Sequence, residues 1–387
     1  MSNRGWPEWG LVFALALPSA HLVQETVGVV AVPALIPAVA LALWLGQRLV
    51  EPRLRAASRR QLGWAVALTV VALGVVFAIG YPIADGLRPT GGSDSDDAMD
   101  LAVRELLRGR YPYSPTTYLG NPISPLPGAL LLGVPFVLIG GAALQNLAWL
   151  GALFAAASRE LRSARSALLL LWALLFLSPS VLHGVVTGVD YVANSIYVLL
   201  AMGWLIRTRE IDAGSSGRVA LAAAVLGVTL ASRANFALIL PVVAVALAVR
   251  GSWRSALGLV GIAVGVATLI TLPFYWIDPA GFSPLHTSNK LGRYAGILPW
   301  AGVVVPLANL LLACVLARPR WNRTLAASFG HCALVLGFPV VAGSILKSID
   351  RGQLDLSFAA YGEFCLFFAV AAYWIHRRVG LEPEAAR

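Results

Sequence analysis

The chain has 387 residues, of which 58% are hydrophobic and 12% charged, with a mean hydropathy of +0.76. Such values lie far outside the range of soluble globular proteins. The formal charge of +10 points to no nucleic acid, because the basic residues are scattered over short loops in the pattern of the positive-inside rule.

Taken in chain order, Trp9–Gln24 and Thr26–Gln47 predict a helical pair bent near His21–Glu25, followed by the basic turn Arg48–Arg60. Met1–Arg4 runs into apolar sequence without a small-residue cleavage site, so an uncleaved start is expected. Leu62–Tyr81 is free of charge and about 20 residues long, enough to cross a hydrocarbon core. Residues 82–127 then form a long external loop. Gly128–Leu150 returns to Arg159–Arg165, Ser166–His183 leads out to Thr187–Asp190, and Tyr191–Ile206 comes back. Residues 207–218 read as a cytoplasmic linker. After a broken segment, Ala256–Trp276 leads to a second external loop, residues 278–297. Leu298–Ala317, Ala326–Leu346 and Phe358–Ile375 complete the chain. Cys314, Cys332 and Cys365 fall inside predicted spans with no ligand spacing, which suits packing.

With Arg48–Arg60 taken as cytoplasmic, 20 of the 29 basic residues lie inside, eight outside, and Arg233 within the membrane. That bias predicts a multi-pass protein of the cell membrane with both termini cytoplasmic. The expected architecture is all-α, a polytopic transmembrane helical bundle of about 10–12 spans forming one domain over residues 1–387.

Two places break the pattern of spans and loops. Val219–Ala231 and Phe236–Val249 are apolar runs separated by Ser232-Arg233-Ala234-Asn235, with arginines at both outer ends. A single helix would invert every later loop, so residues 219–249 predict a broken helical hairpin with Arg233 deep in the membrane or in a cavity. The other is the polar island Gly91–Asp100, where four of the 19 acidic residues fall within ten positions. Behind it Met99, Ala102, Val103, Leu106 and Leu107 keep helical spacing, with Asp97, Asp100, Arg104 and Arg108 opposite. This predicts an amphipathic helix over residues 96–108 lying on the outer membrane surface. Ser93 and Asp96 resemble a capping box, and Gly109 stands where a helix would end.

Carboxylates beside an interfacial helix suit general-base chemistry on a lipid-borne substrate. Asp97, Asp96 and Asp94 are the candidates, and a divalent cation among them is left open. The plain alternative is that they complement a helix dipole. The Arg233 guanidinium is shaped for a phosphate, with pairing to a buried acid as its alternative. Lys290 and Arg293, with His286 before them, give the second external loop a positive spot, and Asp190 either lines the same cavity or caps a span. No cofactor motif is present.

Three stretches carry a resemblance. Asp96-Asp97 followed by Ala102, Leu106-Leu107, Gly109 and Pro112-Tyr113 is the first. Ser178-Pro179 with Leu182 and Gly188 is the second. Leu226-Gly227, Arg233, Leu240-Pro241 and Arg250-Gly251-Ser252-Trp253-Arg254 form the third. Together they resemble the GT-C integral-membrane glycosyltransferases, in particular those that use polyprenol-phosphate mannose and related actinobacterial membrane proteins. The sequence departs from that pattern at Gly188-Val189-Asp190-Tyr191, where Gly-Gln-x-Asn is usual, and at Arg233, where Lys is usual. The resemblance implies a GT-C-like fold and a hexosyltransferase that needs no metal. It also implies a polyprenyl-phosphate-linked sugar donor, mannose being the sugar suggested, with a lipid or cell-envelope glycan as acceptor in the bilayer. By the same resemblance Tyr113 joins the substrate-binding set. The rival is a transporter or flippase of an anionic lipid or lipid-linked sugar.

Overall fold

The computed structural model describes residues 8–86, 93–211 and 216–381, apart from the side chains of 216, 286–289 and 379–381. All regular structure among them is helical; one isolated bridge joins Thr116 to Pro122. The first helix, α1 (Glu8–Thr26), turns at Gly28 into α2 (Val32–Leu45), α3 (Glu51–Ala56) and α4 (Arg59–Gly86). The segment between α4 and the next long helices, residues 93–126, holds α5 (Ser95–Leu107). Two bent pairs follow, α6 (Pro127–Ile139) with α7 (Leu144–Glu160) at 110°, and α8 (Ala164–Leu177) with α9 (Pro179–Thr187) at 81°. Next come α10 (Tyr191–Ile211), α11 (Ser216–Leu230), α12 (Leu240–Ala248) and α13 (Trp253–Ile277). The chain ends with α14 (Thr287–Gly292), α15 (Ala301–Leu316), α16 (Leu325–Arg351) and α17 (Glu363–Leu381).

Among the described residues, five helical stretches are long and apolar enough to cross a membrane, or up to seven if each bent pair counts as one span. Three shorter apolar helices, Gly217–Leu230, Ala234–Ala248 and Ala301–Leu316, fall below span length. The expected 10–12 spans are therefore not reached among the described residues, because several runs read as crossings are bent or too short. Exposure sorts the helices. The apolar α4 carries no buried residue, as suits a helix facing lipid tails. By contrast α10 buries residues from Val192 to Thr208 and lies in the core beside α7, α11 and α17.

The broken hairpin is present. Helix α11 ends at Leu230, Arg233 is extended at φ −149°, and a 3-10 turn over Ala234–Ile239 leads into α12, where Pro241 suits a helix start. The freed carbonyls at the break are taken by the end of the segment that follows α5. The Leu126 N–H donates to Ser232 O at 3.0 Å, and the Gly128 N–H to Ala231 O at 2.7 Å. A Cβ on Gly128 would stand 2.3 Å from Val228 O, so only glycine fits there.

Helix α5 runs one residue ahead of its predicted bounds and ends, as expected, before Gly109 at φ +69°. Its apolar face corrects the expectation of a helix laid on the membrane. Met99, Ala102 and Val103 are fully buried with Ile123, Leu130 and Phe282, and Met99 packs over Gly133 of α6. The apolar stripe meets protein because the coil after Gly109 folds back under it. The capping box is also corrected. Ser93 Oγ accepts from the Ser95 N–H, and Asp94 occupies the cap position.

Candidate functional site

The break at Arg233 and the turn between α9 and α10 face each other. Gly188, at φ +69°, closes α9, and Asn146 fixes the turn by donating to Gly184 O and Val189 O while accepting from the Ala193 N–H. The turn delivers Asp190 and Tyr191 to the guanidinium. Arg233 Nη2 donates to both Asp190 oxygens at 2.6 and 2.5 Å, and Nη1 donates to Ser124 Oγ at 3.0 Å. The cation also lies 5.5 Å from the Tyr191 ring centroid. Asp190 is fully buried, and Asn194 donates to it from the next turn of α10 at 2.9 Å. Arg233 Nε is buried and meets no acceptor among the described residues.

Arg233 borders a cavity of about 150 Å³ whose wall includes Ser124, Tyr191, Lys290, Tyr361 and Phe364. Lys290 reaches it from α14, donating to the Tyr361 hydroxyl at 2.9 Å while its ammonium lies 5.3 Å from that ring's centroid. Thus two cations from distant segments share one space with aromatic and apolar walls. In shape and polarity this suits an anionic head joined to an apolar body.

The remaining expected residues separate. Arg293 is exposed and does not border the cavity; the His286 side chain lies outside the described residues. Tyr113 is a packing residue, not a lining one. It is buried, its hydroxyl donates to Pro125 O at 3.2 Å, and its ring packs edge-on against Phe274 and Phe282. Asp190 is the partner of Arg233 and does not border the open space.

The acidic island divides as well. Asp94 Oδ2 accepts from Thr117 Oγ1 at 2.6 Å and from Asn121 Nδ2 at 2.8 Å, and Asp97 Oδ2 accepts from the Tyr118 N–H at 3.1 Å. Both hold the coil at residues 117–121. Asp96 turns inward, 4% exposed, and receives the Tyr81 hydroxyl at 2.6 Å. The carboxylates thus diverge instead of converging on a common cation, and no group of three or more His, Cys, Asp or Glu suited to a metal ion occurs among the described residues. Asp100 accepts from the Ala142 N–H at 2.7 Å and from Arg104 at 3.2 Å, tying α5 to the bend before α7. Burial raises its carboxyl above the ordinary range despite those two donors.

One residue escaped the sequence reading. Glu363 begins α17, is 4% exposed, lies beside Gly184, and keeps Oε2 without a partner among the described residues. In sequence it looks like an acid in the first turn of a helix.

No family model matches the chain, and no curated protein or solved structure matches it either.

Proposed function

We propose that this protein is a membrane glycosyltransferase that takes its sugar from a polyprenyl-phosphate donor and passes it to a lipid or cell-envelope glycan. The supporting observation is the cavity that Arg233 and Lys290 share, with aromatic and apolar walls around the two cations. In this reading the donor phosphate sits between the two cations, and the polyprenyl chain leaves along the apolar wall. The acceptor hydroxyl oxygen attacks the anomeric carbon, and the bond from that carbon to the phosphate oxygen breaks. The electron pair departs with polyprenyl phosphate, whose added charge the cations stabilise. Asp96 takes the hydroxyl proton. It is preferred to Asp94 and Asp97, which hold the coil, because it packs on Gly188 of the turn that carries Asp190 and Tyr191. The sequence resemblance to GT-C enzymes supports the same assignment.

The test is sugar transfer from a radiolabelled polyprenyl-phosphate donor in membranes. Asp96→Asn is expected to bind donor normally and to lose roughly 10²–10⁴-fold in turnover. Transfer unchanged in Asp96→Asn removes the base. A parent protein that carries the donor across a bilayer without consuming it makes the chain a transporter.

A further inference from the structure

A second recess lies at the other end of the bundle. Asp190, just before α10, and Arg207, near its far end, stand about 25 Å apart at 1.5 Å per residue. Around Arg207 a cavity of about 880 Å³ opens between α7, α10, α16 and α17. That volume lies in the upper part of the range of small-molecule sites. Its floor is apolar, with Leu153, Leu199 and Phe329 buried. Its charged residues are Arg159, Arg162, Arg207 and Arg378 with Glu160 and Glu210.

The glutamates are already engaged. Glu160 pairs with Arg207, while Glu210 is shared between Arg207 at 2.6 Å and Arg250 at 2.5 Å. Arg159 and Arg162 are exposed and have no carboxylate partner among the described residues, so the recess presents uncompensated positive charge over an apolar floor. Orientation of the chain by the positive-inside rule accounts for arginines in loops; it does not account for a recess beneath them.

Arg162 adds an independent observation. It closes α7 with φ +47°, a left-handed conformation normally filled by glycine at this position after a helix. The hydrogen bonds around it are those of a helix end, from the Arg162 N–H to Arg159 O and from the Ser163 N–H to Ser158 O. An arginine there keeps about 1–2 kcal/mol of backbone strain that glycine would relieve. Sparsely populated backbone of this kind is found at ligand sites.

We propose that this recess binds an anionic glycerophospholipid from the adjoining leaflet, its phosphate between Arg159 and Arg162 and its acyl chains on the apolar floor. Basic pockets between helices suit such headgroups. The site is separate from the donor cavity, and the proposal does not depend on the glycosyltransferase reading.

Trp204 lines the recess and is 38% exposed, so it can report on the ligand. The full chain in nanodiscs is titrated with brominated phosphatidylglycerol or brominated phosphatidylcholine. The signal is the part of the fluorescence quenching that Trp204→Phe removes. Phosphatidylglycerol is expected to quench at a mole fraction at least about tenfold lower than phosphatidylcholine, with no competition from inorganic phosphate. Arg159→Gln and Arg162→Gly are each expected to shift its midpoint about fivefold, the fold-change equivalent to about 1 kcal/mol per arginine. Arg162→Gly should also keep or raise the melting temperature, which separates lost binding from lost folding. Ala156→Phe, which fills the recess and leaves every charge in place, should weaken the lipid as well. Equal quenching by the two lipids overturns the proposal. So does an Arg162→Gly protein that is more stable and equally selective, or competition by inorganic phosphate.

Discussion

Asp96 lies directly over Gly188: a Cβ built on that glycine would stand 2.7 Å from the Asp96 Cβ and 2.9 Å from its Cγ. Gly188 is also at φ +69°, so alanine there meets both a steric and a backbone barrier. Gly109 has the same φ of +69° with nothing within 4 Å of its built Cβ. Gly109→Ala should therefore cost about 1–2 kcal/mol of stability and leave sugar transfer intact. Gly188→Ala should be more destabilised and lose transfer together with it. Thermal unfolding and transfer measured on both variants give the comparison; equal behaviour would dissociate Asp96 from the turn.

The Arg233–Asp190 pair predicts an asymmetry. Arg233→Ala leaves a fully buried carboxylate without its cation, a loss of about 3–5 kcal/mol. Adding Asp190→Asn to that variant should recover most of the stability and none of the donor binding. Arg233→Lys keeps the charge but not the planar fork, so intermediate donor affinity is expected. Donor binding restored by the double variant would make the pair purely structural.

Asp94 and Asp97 support the coil at residues 117–121 through Thr117, Asn121 and the Tyr118 N–H. Asp94→Asn and Asp97→Asn should each lower stability by about 1–3 kcal/mol, the usual size for a hydrogen bond to a charged group. Turnover in the folded fraction should stay near that of the parent. A 100-fold loss of turnover in either one would move the base away from Asp96.

Asp100 gives a pH signature. Burial raises its folded pKa above the ordinary carboxylate value, against the pull of the Ala142 N–H and Arg104 and aided by the charge of Asp97. A raised folded pKa means that this group's contribution is fully present below the ordinary value and is lost as pH rises through the folded one. Asn keeps an oxygen for the Ala142 N–H and never ionises. Asp100→Asn should thus match or exceed the parent's melting temperature at neutral pH. The advantage should vanish toward pH 3. A variant less stable than the parent at pH 7 would contradict the burial argument.

Orientation can be tested with single cysteines at Leu119 and Ala56, both exposed and at opposite ends of α4 and its flanking loops. An impermeant thiol reagent applied to whole cells should label Leu119→Cys and spare Ala56→Cys. The opposite pattern would put the Arg233 cavity on the cytoplasmic side.

What the sequence made legible was local. Two apolar runs too short to span, with arginine at both ends, located the hairpin break to within two residues, since length and charge are written along the chain. The register of α5 was readable from Met99, Ala102 and Val103. Where that stripe went was not, because lipid and protein satisfy an apolar face equally well until the rest of the fold is in place. Helical arithmetic held one more signal: Asp96, Met99 and Val103 are spaced i, i+3, i+7, which puts Asp96 on the buried face and apart from Asp97. The meeting of Lys290 with Arg233 was expected only as a choice between loop charges, and Glu363 had no signature distinguishing it from a helix-dipole partner.

The backbone stitch between the segment after α5 and the hairpin break also carries a schedule. The Leu126 and Gly128 amides find their acceptors on residues 232 and 231, about one hundred positions later in synthesis. Until residues 231 and 232 have been made, those amides have no carbonyl to meet, and residues 93–127 cannot settle onto the bundle. Lys290 and Tyr361 arrive later still. A growing chain that stops short of residue 231 is therefore unfinished at this junction. The protein acquires its cavity only once Tyr361 and Phe364 have been made.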